Sequence, residues 1–245
     1  MTDLPYRLVN ETGSAPIVII CDHASNRVPP GFGDLGLPAA AFARHIAWDI
    51  GAAGVSEILA RRFDAPAILS TVTRLLIDCN RQFDDPGLAP AVSDGIEVPA
   101  NRDLSPDERT SRWQTYHQPY HAAIAQAIER KSSRGHDPVL LSIHSMTPSL
   151  RGVARPWQIA VCWDVDQRLS APMLAALRTQ SGITVGDNEP YRLDPAEDYS
   201  VPHHATRRGL RHLQIEFRQD EIADAAGQQR WAALFGDCLE QVLRG

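Results

Sequence analysis

Short apolar runs, rich in β-branched residues, recur along this chain: residues 17–21 (IVIIC), 67–71 (AILST), 75–77 (LLI), 139–143 (VLLSI), 158–162 (QIAVC) and 213–217 (LQIEF). They are apolar almost throughout rather than alternating, which suits strands buried on both faces of a largely parallel sheet. Parallel neighbours need crossovers, and the stretches between the runs carry helical signals. Residues 49–63 (DIGAAGVSEILARRF) bring Ile50, Ala53, Ile58 and Leu59 towards one face, with Asp49 at the start, where an acid suits a helix N-terminus. Residues 105–134 open on Ser-Pro-Asp-Glu, which supplies an N-cap, a proline at the first helical position and acids in the first turn. Residues 166–180 and 222–243 complete the helices. Strands alternating with helices predict an α/β fold, with a central, mostly parallel sheet flanked by helices on both faces. A length of 245 residues fits one such domain, 1–245, because single α/β domains reach roughly 200–250 residues.

Open α/β sheets bind ligands beyond the carboxyl ends of their strands. The first run ends in Asp22-His23 (CDHASN) and another in His144 (SIHSM), so the two histidines are expected at one sheet edge. An open catalytic zinc site takes three protein ligands and keeps one position for water. Asp49, a charged group opening the first helix after that strand, is the preferred third ligand. Asn26 stands three residues after His23 but offers only an amide, and His45 lies one helical turn before Asp49. The plainer alternatives are hydrogen-bonded core histidines and a helix-capping aspartate.

Arg74-Leu-Leu-Ile-Asp78-Cys-Asn80-Arg81 sets an acid beside an Asn-Arg pair, with a further arginine at the start of the run. A planar guanidinium grips a carboxylate with two parallel hydrogen bonds, so Arg74, Asn80 and Arg81 read as a clamp for a substrate carboxylate. The competing assignment is a surface salt bridge between Asp78 and an arginine. Glu216 interrupts an apolar run near its end, where a carboxylate can act as general base on a metal-activated water; pairing with Arg218 is the bland alternative. The Gly/Pro-rich stretches 26–38 and 186–202 read as loops, and Tyr191-Arg192 and His203-His204 lie in or beside the second, where they can close over a substrate.

Other chemistries are poorly supported. The net charge of −6 lacks the basic footprint of nucleic-acid binding. Cys21, Cys79, Cys162 and Cys238 are scattered, which signals neither a thiolate metal cage nor a disulfide framework. Gly31-Phe-Gly33-Asp-Leu-Gly36 matches G-x-G-x-x-G only formally: it does not follow a strand directly, and Pro38 blocks the strand-turn-helix context of dinucleotide sites. Gly54-Val-Ser56 lacks the closing glycine of a serine-hydrolase elbow. Without a leader-like start or a long uninterrupted apolar run, the expected location is the cytoplasm, with no membrane partner.

The segments CDHASN, AWDIGA, TRLLIDCNR, SIHSMTP, GDNEPY and HLQIEFRQD together resemble the N-formylglutamate amidohydrolase family, over nearly the whole chain. That family is a relative of the zinc carboxypeptidases and aspartoacylases, so the resemblance implies a zinc-carboxypeptidase-like (phosphorylase/hydrolase-like) mixed sheet. It also implies Zn2+ or another divalent metal, and a small N-acyl amino acid as substrate. By the same resemblance His23 and His144 match metal-binding histidines, Glu216 matches the catalytic glutamate, and Asn80 and Arg81 match the substrate-carboxylate pair, with Arg74 as helper. His204 completes the expected substrate contacts. This chain departs from the wider pattern in two places: the carboxypeptidase His-x-x-Glu is His-x-x-Asn here, and a threonine precedes Arg74 where serine is usual. A carboxypeptidase-like enzyme and a non-catalytic binding module for an acidic metabolite are the rival expectations.

Overall fold

The computed structural model describes residues 4–244; the ends of the expected 1–245 domain, residues 1–3 and 245, lie outside them. In chain order the elements are β1 (Tyr6–Val9), β2 (Ile17–Cys21), α1 (Ala52–Arg62), β3 (Ala67–Ser70), β4 (Val92–Ser93), β5 (Ile96–Glu97), α2 (Pro106–Arg112), α3 (Gln118–Ser132), β6 (Val139–Met146), β7 (Ser149–Leu150), β8 (Val153–Ala154), β9 (Ile159–Cys162), α4 (Ser170–Arg178), β10 (Val185–Asp187), α5 (Ser200–His204), β11 (His212–Arg218) and α6 (Ala225–Arg244). Seven strands form one sheet in the order β1-β3-β2-β6-β11-β9-β10, and β4-β5 and β7-β8 are small separate hairpins. Strands β3, β2, β6 and β11 run parallel, while β9 is antiparallel to β11 and β1 to β3. The expected mixed, mostly parallel α/β sheet is what forms.

Alternation along the central strands divides the core. Ile17, Ile19, Leu141, Ile143, Ile215 and Phe217 pack with α1, α4 and α6 on one face. Val18, Ile20 and Leu140 pack with Tyr120, Ile124 and Ile128 of α3 and Val201 of α5 on the other. A third cluster, built from Leu35, Ile46, Leu75, Leu76, Ile77 and Val98, fills an irregular lobe beside the sheet. No helix among the described residues is long and apolar enough to cross a membrane.

Three local expectations need correction. Residues 75–77 are buried but form no strand. Thr73 turns the chain, donating its hydroxyl to the Ala47 carbonyl and accepting from Leu75 N, while Leu76 N and Ile77 N bond back to the Thr73 carbonyl. The apolar run therefore serves the third cluster from a turn, and a short apolar run cannot by itself tell these cases apart. Asp49 does not open α1, because the chain first turns through Gly51, whose φ of +83° needs a residue without a side chain; a Cβ there would sit 2.1 Å from the Ile222 carbonyl oxygen. The expected 105–134 helix is α2 and α3 joined by a π-helical stretch, Trp113–His117, and it begins on a full capping box between Ser105 and Glu108.

Candidate metal and substrate site

The carboxyl ends of β2 and β6 deliver His23 and His144 to the same edge, and a backbone hydrogen bond from Asp49 N to the His23 carbonyl (2.9 Å) draws Asp49 between them. Asp49 Oδ2 lies 3.3 Å from His23 Nδ1 and 2.9 Å from His144 Nδ1, and it also accepts from Ser145 N. All three side chains are buried, and their donor atoms fall within 4.8 Å of one another. Of the sequence candidates for a third ligand, Asp49 alone converges with the histidines. Asn26 donates its amide to the Phe42 carbonyl, and His45 sits in the cavity wall facing Asp94.

The outer nitrogens are held as well. Asp78 Oδ1 lies 2.7 Å from His23 Nε2, and Ser142 Oγ (3.0 Å) and Asp22 Oδ2 (3.3 Å) lie beside His144 Nε2. A carboxylate on Nε2 fixes the proton there and turns the Nδ1 lone pair inward, the arrangement that orients metal-ligating histidines. Two such lone pairs and a carboxylate oxygen are all acceptors. They repel one another unless protons or a cation lie between them, so the residues fit a divalent metal bound by two imidazoles and one carboxylate.

The electrostatics follow from this crowding. Burial raises Asp22 and Asp78, but contact with His144 overrides it at Asp22, which drops to about 2, and Arg74 and His23 override it at Asp78, which falls well below the usual carboxylate range. Burial depresses His144, and its contacts with Asp22 and Asp49 reverse that and raise it well above the ordinary histidine value. Asp78 is the densest node, since it also accepts from Asn80 N and from Arg74 Nε and Nη2 (2.8, 3.0 and 2.7 Å). Asp22 Oδ1 is fixed by the hydroxyls of Tyr120 and Ser200.

Glu216 lies opposite His144 in the parallel β11–β6 register, so both side chains leave the same face of the sheet. Burial pushes its carboxyl up to about 7, and its Oε2 has no hydrogen-bond partner. It does not pair with Arg218, which is taken by Asp220 and Glu221. Gln214 leaves that same face two residues earlier and lines the same cavity; the sequence reading missed it, although the strand period of two announces it.

The cavity above these groups has a volume of about 160 Å³, and Arg74, Arg81, Tyr191 and Arg192 stand in its wall. Arg74 is ion-paired with Asp78 and Asp49, and Arg81 with Asp198. Asn80 is committed internally: its amide nitrogen donates to Asp198 Oδ1, and its oxygen accepts from Tyr199 N and Ser200 N. It therefore ties down the 186–202 loop. His204 does not line the cavity. Its ring stacks on His121 of α3 with an Nε2–Nδ1 distance of 2.9 Å, inside an aromatic group with the buried His117 and the half-buried Trp113 and Tyr199.

Residues 15–223 match the N-formylglutamate amidohydrolase family. A crystal structure of a gene product from Agrobacterium tumefaciens superposes with a TM-score of 0.93 at 31% identity, covering 98% of this chain and 97% of that one. The crystal structure of N-formylglutamate amidohydrolase from Ralstonia eutropha superposes with a TM-score of 0.73 at 22% identity, covering 99% and 100%, and supports the fold. No curated protein matches in sequence. The strand-end residues described above thus lie on a fold and sequence of known lineage: the chain belongs to the N-formylglutamate amidohydrolase family, and amide hydrolysis is the activity this membership supports.

Proposed function

We propose that the protein is a metal-dependent amidohydrolase that cleaves the amide of a small N-acyl amino acid such as N-formyl-L-glutamate. One observation carries this reading: two histidine Nδ1 atoms and a carboxylate oxygen face one another at a sheet edge, each imidazole backed on its outer nitrogen, beside a buried glutamate with a free oxygen. His23, Asp49 and His144 would hold the metal, and zinc suits this donor set. A divalent cation held there would supply Lewis acidity for acidifying a water and polarising the amide carbonyl.

Glu216 Oε2 accepts the proton of the attacking water and passes it to the departing nitrogen; its upward shift brings it close to a working pH near neutrality. Arg81 and Arg74, with the exposed Arg192, set guanidinium groups in the cavity wall, which suits a carboxylate-bearing substrate. Asn80 serves from one step behind, by holding the loop that carries Asp198. The cavity is small beside the roughly 300–1,000 Å³ of drug-sized ligand pockets, which favours a single amino-acid derivative over a longer peptide.

The test is metal content by mass spectrometry on protein purified without added metal, for the wild type and His144→Ala, followed by a screen of N-formyl and N-acetyl amino acids. About one zinc per chain that is lost in the variant, with formyl-amide turnover in the wild type, supports the reading. A wild type without metal and without turnover sinks it and favours the binding module.

A further inference from the structure

Of the three arginines in the cavity wall, Arg74 is ion-paired with Asp78 and Asp49 and Arg81 with Asp198, while Arg192 is exposed to solvent. Arg155 is different. It is 7% exposed, its Nη1 is buried without a hydrogen-bond partner, and it forms no ion pair among the described residues. A buried guanidinium with an unmet donor and no carboxylate partner is costly, and an anionic ligand would complete it.

Its position supplies one. Arg155 directly follows the β7–β8 hairpin, which grows from the end of β6 just past the cavity residues Met146 and Thr147, and its backbone is pinned by a bond from Arg155 N to the Pro148 carbonyl. The Arg155 Cζ lies 4.8 Å from the centre of the Tyr191 ring, and Tyr191 stands in the cavity wall with 41% of its surface exposed. Burial and the charge of Glu216 raise the Tyr191 hydroxyl, while the charge of Arg155 and a hydrogen bond with its guanidinium oppose that rise. Arg155 also helps to push down His45 on the same wall, after burial and nearer cations.

We propose that Arg155 is the specificity-determining anchor for a substrate carboxylate, its guanidinium covered by the Tyr191 ring until the substrate displaces that ring. Resting on the amidohydrolase reading of the site, this moves carboxylate recognition from the internally committed Asn80–Arg81 pair to a buried guanidinium behind Tyr191 that forms no ion pair among the described residues. The cation–π contact holds the guanidinium in place while the cavity is empty. An incoming carboxylate takes the buried Nη1 that no protein group meets and, as the Tyr191 ring moves aside, replaces the hydroxyl that the guanidinium now bonds.

The experiment compares wild type, Arg155→Met and Arg155→Lys with N-formyl-L-glutamate and its two mono-amides, with metal content recorded for each. Separately, calorimetry measures the binding of L-glutamate. The Met variant is expected to keep its metal, raise KM roughly tenfold to hundredfold and lose the wild-type preference for one carboxylate over its amide, with partial recovery in the Lys variant. Wild type should bind L-glutamate and the Met variant should bind it at least tenfold more weakly. An unchanged carboxylate preference in the Met variant, equal L-glutamate binding by both, or no binding by the wild type overturns the assignment. Failure to hydrolyse any N-acyl amino acid, with Arg155-dependent L-glutamate binding intact, would instead sink the amidohydrolase reading alone.

Discussion

Replacing Asp78 by asparagine keeps the shape of the side chain and removes what the structure uses it for. The carboxylate takes His23 Nε2 and Asn80 N on Oδ1, and Arg74 Nε and Nη2 on Oδ2. An amide has one acceptor oxygen, so whichever way it turns, its NH2 group faces two donors, and either Arg74 or the His23–Asn80 pair loses its acceptor. Each stranded buried donor costs about 1–3 kcal/mol, and breaking a buried ion pair from one side costs about 3–5 kcal/mol. The expected loss in unfolding free energy for Asp78→Asn is thus about 3–5 kcal/mol, measured by urea denaturation of metal-free protein. The same change leaves His23 without the group that sets its tautomer, so zinc affinity, read by chelator competition, should fall about 10- to 100-fold. A variant within about 1 kcal/mol of wild type, with zinc affinity unchanged, would refute the reasoning and leave Asp78 as a dispensable salt-bridge partner.

Glu216→Gln should retain its metal and lose at least about a hundredfold in kcat; near-normal turnover in steady-state assays removes Glu216 from the base role. Asn80→Ala removes the acceptor for Tyr199 N and Ser200 N at the start of α5, and should cost about 1–2 kcal/mol in denaturant unfolding and raise KM by loosening the loop; unchanged unfolding would show that the loop is held elsewhere. Burial pushes His117 and His204 down to about 2 and His121 to about 4, so these groups bind fewer protons folded than unfolded. These rings should therefore give up stability as pH drops below 6.5, by at most about 1.4 kcal/mol per pH unit each, opposite in sign to the raised His23, His144 and Glu216. From about pH 7.5 to 5.5 the urea midpoint of His204→Phe should fall less, or rise more, than that of wild type.

The placement of the candidate site was legible because a polar residue that ends an apolar run stands at the sheet edge; His23, His144 and Glu216 were brought to that edge by this reasoning. Asp22 and Asp78 were visible as residues but not as partners, since sequence spacing says nothing about which imidazole nitrogen a distant carboxylate will meet. Asp78 reads locally as the neighbour of Asn80 and Arg81, and only the turn at Thr73 sends it to His23. The same turn explains the missing strand at 75–77. His117 and His121 carried an unused signal: with Trp113 they recur every four residues, one face of a helix, and that face meets His204. This draws His204 away from the cavity. Arg155 had no such signal, because its significance lies in the acidic partner it lacks.

The charge balance of the site links its design to a measurable proton count. Asp22, Asp49 and Asp78 are buried and held ionised by their cationic contacts, and Arg74 is the one permanent positive charge bonded to them. Three carboxylates against one guanidinium leave two negative charges uncompensated in a buried region. Metal-free protein answers this by protonation: burial lowers His23 and His144, yet the facing carboxylates reverse that and raise both. A divalent cation meets the same need with the same net charge, and it requires both Nδ1 lone pairs. Proton loss must accompany its binding. Calorimetric titration of metal-free protein with zinc, repeated near pH 6 in buffers of different ionisation enthalpy, should report release of about two protons per ion bound. Zinc binding with no proton release would mean that the imidazoles are already neutral, and that the carboxylates do not hold their charge in the way the geometry requires.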